Sequence, residues 1–242
     1  MNREYLKWYS RRLQRDMEML VFGHAGARLL VFPTRAGRFY DYEDWGMVHA
    51  LSEHIEQGWV QLFCIDSVDA ESFYCERCHP YNRIRRHQKY EDYIIHEVLP
   101  VMNEKNPNPF IIAHGCSLGA YHAMNITLRH PDLFKKVVAF SGRYDLTQPM
   151  GWFRDLFDGY YDDLVYFHTP CHYIPLTTDP HLLEKLRRLE IIFAVGEEDA
   201  FANNNRHLSH LLRLKEISHN LHIWAGEAHK PRYWRRMVVQ YV

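Results

Sequence analysis

Apolar residues along this chain fall into short runs set between longer stretches where they recur every three or four positions. The runs at 17–22, 28–32, 60–65, 110–114, 136–141, 190–195 and 219–224 predict strands. Leu29-Leu30-Val31-Phe32 and Ile191-Ile192-Phe193-Ala194-Val195 carry no polar interruption, as expected of strands covered on both faces. The first run, followed by Gly23-His24-Ala25-Gly26, predicts a hairpin into the second. Helical spacing marks 47–57, 90–102, 118–129, 180–189, 203–215 and 231–241, the last with Pro231 near its first turn. Strands alternating with helices predict an α/β fold with a mostly parallel central sheet flanked by helices.

Residues 145–179 break the rhythm. The stretch is aromatic-rich, with Trp152, Phe153, Phe157, Tyr160, Tyr161, Tyr166, Phe167 and Tyr173, and is too long for an ordinary connection. It reads as a lid or cap insertion within a single domain spanning 1–242. The 242 residues suffice for a large core without staples. A formal net charge of -1 argues against a nucleic-acid partner, and the basic clusters at Arg11-Arg12, 83–86 and Arg187-Arg188 read as solvated helix faces. No apolar run approaches the ~18 residues of a membrane helix, so no membrane partner is expected. No secretory h-region follows Met1, which points to the cytoplasm.

Five cysteines exclude a fully paired disulfide framework within one chain. Cys75-Glu76-Arg77-Cys78-His79 matches a haem-attachment string, and His79 and His87 could complete a Cys2His2 zinc set on paper. The preferred reading is a plain loop with two thiols, with no cofactor and no metal.

The chemistry concentrates at Gly115-Cys116-Ser117-Leu118-Gly119, between the apolar run ending at Ala113-His114 and a helical stretch. Strand, sharp turn and helix form the context of a nucleophile elbow, which projects a serine hydroxyl from the top of a sheet. A serine needs a base, and in such folds the order is serine, acid, histidine. Asp199 in Gly196-Glu197-Glu198-Asp199 and His229 in Gly226-Glu227-Ala228-His229 follow predicted strands in that order. Asp145, Glu197 and Glu198 are rival acids. His114 and His222 are poorer histidines, and Cys116 is a poor alternative nucleophile. An oxyanion hole needs two backbone donors. Leu118 supplies one, and Thr34 or Arg35 after the second strand supplies the other. The aromatic segment with Arg35 or Arg38 hints at a pocket that is partly apolar and partly suited to an anion.

These residues resemble the putative esterase family of α/β-hydrolases, near esterase D and the antigen 85 mycolyltransferases. The likeness is carried by 31–34, 37–40, 66–72, 115–123, 129–132, 141–142 and 196–199. It implies a Ser117/Asp199/His229 triad acting without a cofactor on a small-molecule carboxylic ester. The rival readings are an acyltransferase with the same triad and a non-catalytic binding protein on this scaffold. One departure stands out: similar proteins often follow the histidine with Asp and an aromatic residue, whereas here Lys230 follows. A cation beside the base would lower its pKa. The oligomeric state is not legible.

Overall fold

The computed structural model describes residues 1–242. Eight strands form one sheet in the order β1-β2-β4-β3-β5-β6-β7-β8: β1 Arg3–Ser10, β2 Arg15–Phe22, β3 Ala27–Phe32, β4 Val60–Ile65, β5 Ile111–Cys116, β6 Lys136–Phe140, β7 Glu190–Gly196 and β8 Asn220–Trp224. From β4 to β8 the pairing is parallel, while β1 and β2 run antiparallel at one edge. The alternating side chains of the central strands feed two cores. Leu30 and Phe32 join one face, and Leu29 and Val31 the other. This is why Leu29–Phe32 in β3 and Ile191–Val195 in β7 read as unbroken apolar runs.

Two sequence expectations fail here. The run at 17–22 does not turn back onto 28–32; β2 pairs with β1 and with β4. The reason is a strand that the apolar pattern understated. In β1, Leu6 and Trp8 pack on the core while Tyr5, Lys7 and Tyr9 face solvent, leaving β1 half apolar at the sheet edge. The helix expected at 90–102 also begins ten residues earlier. It runs Pro80–Tyr93, continues through a π turn at Ile94–Val98 and ends as Leu99–Lys105. Its buried face includes Arg83, His87 and Glu91, so the early turns show little apolar periodicity.

The two-thiol loop is likewise corrected. Cys75 and Cys78 are joined in a disulfide, with Cα atoms 5.3 Å apart, inside the range that bridging requires. Cys64, Cys116 and Cys171 are free and buried. The zinc set on paper does not assemble either: both sulfurs are spent on each other, and His79 caps the Pro80–Tyr93 helix. No helix is long and apolar enough to cross a membrane.

Candidate active site

The site is built at the carboxyl ends of the parallel strands, where open α/β sheets gather their functional groups. β5 ends at Cys116, and the helix Leu118–Arg129 starts immediately after Ser117. Ser117 is therefore forced to φ 56°, ψ -118°, a conformation costly for a residue with a side chain and held only by its surroundings. The glycines on either side make the turn possible. A Cβ on Gly115 would sit 2.3 Å from the Gly119 carbonyl carbon, and one on Gly119 would sit 2.4 Å from the Phe32 oxygen. Ser117 N–H donates to the Phe140 carbonyl at 2.8 Å, anchoring the turn to β6.

Asp199 and His229 come from the loops after β7 and β8. The Asp199 carboxylate, 5% exposed, receives the Phe201 N–H at 2.9 Å on one oxygen. The other oxygen lies 2.9 Å from His229 Nδ1. Nδ1 thus carries the proton, and Nε2 is left as an acceptor 3.0 Å from the Ser117 hydroxyl. Phe201 and Trp234 pack edge-on against the imidazole and fix its plane.

The rival residues are engaged elsewhere. Asp145 accepts from Thr147 and lies 3.3 Å from His172. Glu197 accepts the Gly226 N–H, and Glu198 is exposed. His114 is buried in β5, with Nδ1 donating to the Val138 carbonyl at 2.7 Å. His222 lies in β8, stacked on Tyr241. Burial pushes the Cys116 thiol well up, away from a nucleophilic thiolate. Lys230 turns to Glu227 at 2.8 Å, so its charge is matched at the surface.

Ser117 opens into a cleft of about 30 Å³ that it shares with Arg35 and Leu118; Thr34 does not line it. The N–H groups of Arg35 and Leu118 make no hydrogen bond within the protein, Leu118 because it is the first residue of its helix. Arg38, expected near the pocket, is held by Asp66 at 2.7 Å and by Glu18. Three lining residues outside the 145–179 segment escaped the sequence reading: Tyr74, Arg143 and Phe201, which stands two positions after Asp199. Tyr74 lies beside the disulfide loop, and Arg143 follows β6 directly after Ser141-Gly142. Tyr74 and Arg143 belong to no motif; only the topology brings them to the serine.

A family model described as Putative esterase matches residues 38–241. The chain belongs to this esterase family. That membership makes it a carboxylester hydrolase. No curated protein matches the esterase. Among solved structures it is similar to a ferulic acid esterase, with TM-score 0.76, 16% identity and coverage of 99% of this chain and 96% of that one. It is also similar to a fluorophosphonate-binding serine hydrolase of Staphylococcus aureus, with TM-score 0.70, 16% identity and coverage of 99% and 96%. A third likeness is to MPT51 of Mycobacterium tuberculosis, with TM-score 0.69, 14% identity and coverage of 99% and 96%. At these identities the likenesses establish the α/β-hydrolase fold.

One other cluster of the esterase offers metal-binding side chains. His87, Glu91 and His168 bring ligand atoms within 4.8 Å of one another, all buried. Glu91 is already taken, accepting from Arg129 at 3.0 Å and from His130 at 2.9 Å. Burial alone would raise this carboxyl, but the His130 bond and the His168 and Arg129 charges hold it at about 2. With a guanidinium supplying the counter-charge, the trio has little anionic character left for a cation. None of the three lines the Ser117 cleft.

This buried chemistry has a consequence for stability. Burial pushes His87 well down, and His114 and His168 down to about 4. Between pH 6.5 and pH 4 the unfolded chain takes up protons on these side chains that the folded chain refuses, so stability falls as pH falls. Each histidine contributes about 1.4 kcal/mol per pH unit in that window. Urea unfolding midpoints are expected to drop steadily from pH 7 to pH 4.5. His114→Leu is expected to flatten the slope by about one proton; a midpoint independent of pH would contradict this.

Proposed function

We propose that the esterase cleaves carboxylic esters through an acyl-enzyme on Ser117. The observation that carries this reading is the unbroken chain from Asp199 through His229 to Ser117, at 2.9 and 3.0 Å. His229 Nε2 takes the hydroxyl proton as Ser117 Oγ attacks the ester carbonyl. The negative charge gathered on the carbonyl oxygen is met by the N–H groups of Leu118 and Arg35, where each such donor is typically worth ~2.7–4 kcal/mol of barrier. The tetrahedral species expels the alcohol, which receives its proton from His229. Water, deprotonated by His229, then attacks the acyl carbonyl and releases the acid with Ser117 restored. Asp199 orients the imidazole and stabilises its cationic form throughout. None of these steps calls on a metal or cofactor.

Residues 145–179 serve in this reading as the lid. Leu146 and Phe153 form part of the cleft wall, and Trp152 stands 88% exposed at the tip of the Met150–Phe153 turn. A cleft of about 30 Å³ suits a short acyl group. Phe153→Ala is therefore expected to raise kcat/KM for 4-nitrophenyl octanoate relative to acetate by about tenfold, a methylene-scale effect in an apolar pocket. An unchanged chain-length profile would remove Phe153 from the acyl site.

The test of the reaction is turnover of 4-nitrophenyl acetate with and without an added alcohol. The account expects acetic acid as the main product in both cases. A product that is mainly the transferred ester would favour the acyltransferase, and a folded protein that releases no nitrophenol would overturn the catalytic reading.

A further inference from the structure

We propose that the cleft selects esters that carry a carboxylate, held by Arg35 and Arg143. The inference rests on Ser117 being the nucleophile and names the class of substrate it would act on.

The charged side chains lining the Ser117 cleft are both guanidinium groups, Arg35 and Arg143. Neither has a carboxylate within 4.0 Å, whereas Arg38, Arg83, Arg86 and Arg129 all do. The acidic groups nearby are committed. Asp69 receives Ala36 N–H and pairs with His122. Asp145 holds Thr147 and His172, and Asp155 takes the N–H groups of Phe157 and Gly159.

Arg143 is the more telling of the two. It is 4% exposed. Its Nε donates to the Asp145 carbonyl, and its Nη2 points at the carbonyls of Leu146, Gln148 and Arg154. Nη1 has no acceptor in the protein. A guanidinium stays charged at neutral pH, so this is a buried cation with dipoles around it and no carboxylate in ion-pair contact, those of Asp145 and Asp155 acting on it only from farther off. Burying such a charge is costly unless a partner arrives, and burial lowers the arginine's pKa accordingly. Arg35 is exposed and lies over the Tyr74 ring at 5.0 Å, which holds the side chain without neutralising it. The fork of Arg35 and the free Nη1 of Arg143, beside a cleft otherwise walled by Tyr74, Leu118, Leu146, Phe153 and Phe201, suit an apolar or aryl ester with one carboxylate, because guanidinium N–H groups make charge-assisted hydrogen bonds to carboxylates.

The test uses two matched pairs, each normalised to its own hydroxide-catalysed rate. Mono(4-nitrophenyl) glutarate against 4-nitrophenyl pentanoate places the charge on the acyl side. 3-Acetoxy-4-nitrobenzoate against 2-nitrophenyl acetate places it on the leaving group. In at least one pair the anionic ester is expected to have a kcat/KM about tenfold or more above its neutral partner, and the preferred pair tells which side of the ester meets the arginines. Arg35→Gln, which keeps the backbone N–H, is expected to erase most of that ratio through KM. High salt is expected to shrink it in the wild type. Equal rates within both pairs, or a preference that survives Arg35→Gln, would overturn the proposal while leaving the esterase reading intact. If the esterase reading itself fails, all four esters stay uncleaved. The ester selection then falls with it, and calorimetric binding of 4-nitrobenzoate separately tests whether the arginines hold a carboxylate: binding is expected to weaken about tenfold in Arg35→Gln, and no binding would overturn that part as well.

Discussion

Ser117→Ala is expected to lower kcat for a simple ester by about 10⁴- to 10⁶-fold with little change in KM. The alanine keeps the turn and the proposed oxyanion donors but removes the atom that, in the proposed mechanism, forms the acyl bond. His229→Ala should cost nearly as much, because in the proposed mechanism Nε2, 3.0 Å from the hydroxyl, takes its proton. The combined variant should be no worse than either alone, since the residues act as one unit. That non-additivity is the sharper part of the prediction. Two independent binding contributions would multiply, and steady-state kinetics of the three variants separate the cases. Asp199→Asn should fall about 10⁴-fold, because an amide in that place favours the wrong imidazole tautomer while leaving the geometry in place.

Gly119→Ala is expected to unfold or severely destabilise the protein. The added methyl would sit 2.4 Å from the Phe32 oxygen and 2.7 Å from the Pro33 oxygen, and both obstacles are backbone. Ordinary overpacking costs about 1–3 kcal/mol because flexible side chains yield; here β3 itself would have to move, so the loss should exceed that range. The same movement would displace the loop that carries Arg35. Any folded fraction should therefore lose esterase activity as well. Chemical denaturation read alongside ester turnover checks both effects. A variant of native stability and activity would mean that the elbow helix does not approach β3 as closely as described.

Much of the catalytic end of the fold was legible in the sequence because two strong constraints coincide there. Strands covered on both faces leave unbroken apolar runs. The elbow needs small residues at fixed offsets, so Gly115, Ser117 and Gly119 announce themselves. Chain order and a place after strands single out Asp199 and His229 as candidates, and the structure sets them in hydrogen-bonded sequence with Ser117. The parts that escaped share a different physical origin. The Pro80–Tyr93 helix buries Arg83 and Glu91, which are satisfied by ion-pair partners, and His87, whose ring packs against Phe73 and His168 with neither nitrogen hydrogen-bonded. A hydrophobic period cannot register such a face. Arg143 escaped because its place in the cleft depends on the chain's folding: its hydrogen bonds go to a loop, and the cleft it lines is completed by Arg35 and Phe201. The bridge between Cys75 and Cys78 was missed because spacing alone permits several fates for a C-x-x-C pair.

The most direct test of the account asks which atom of the folded protein is the nucleophile. The esterase would be treated with an alkyl fluorophosphonate, its intact mass recorded, and the adduct located by peptide mapping. The account predicts one phosphonyl group per chain, on Ser117, and none on the His229→Ala protein over the same time. A folded wild-type protein that stays unlabelled, or that carries its adduct on a residue other than Ser117, would contradict it.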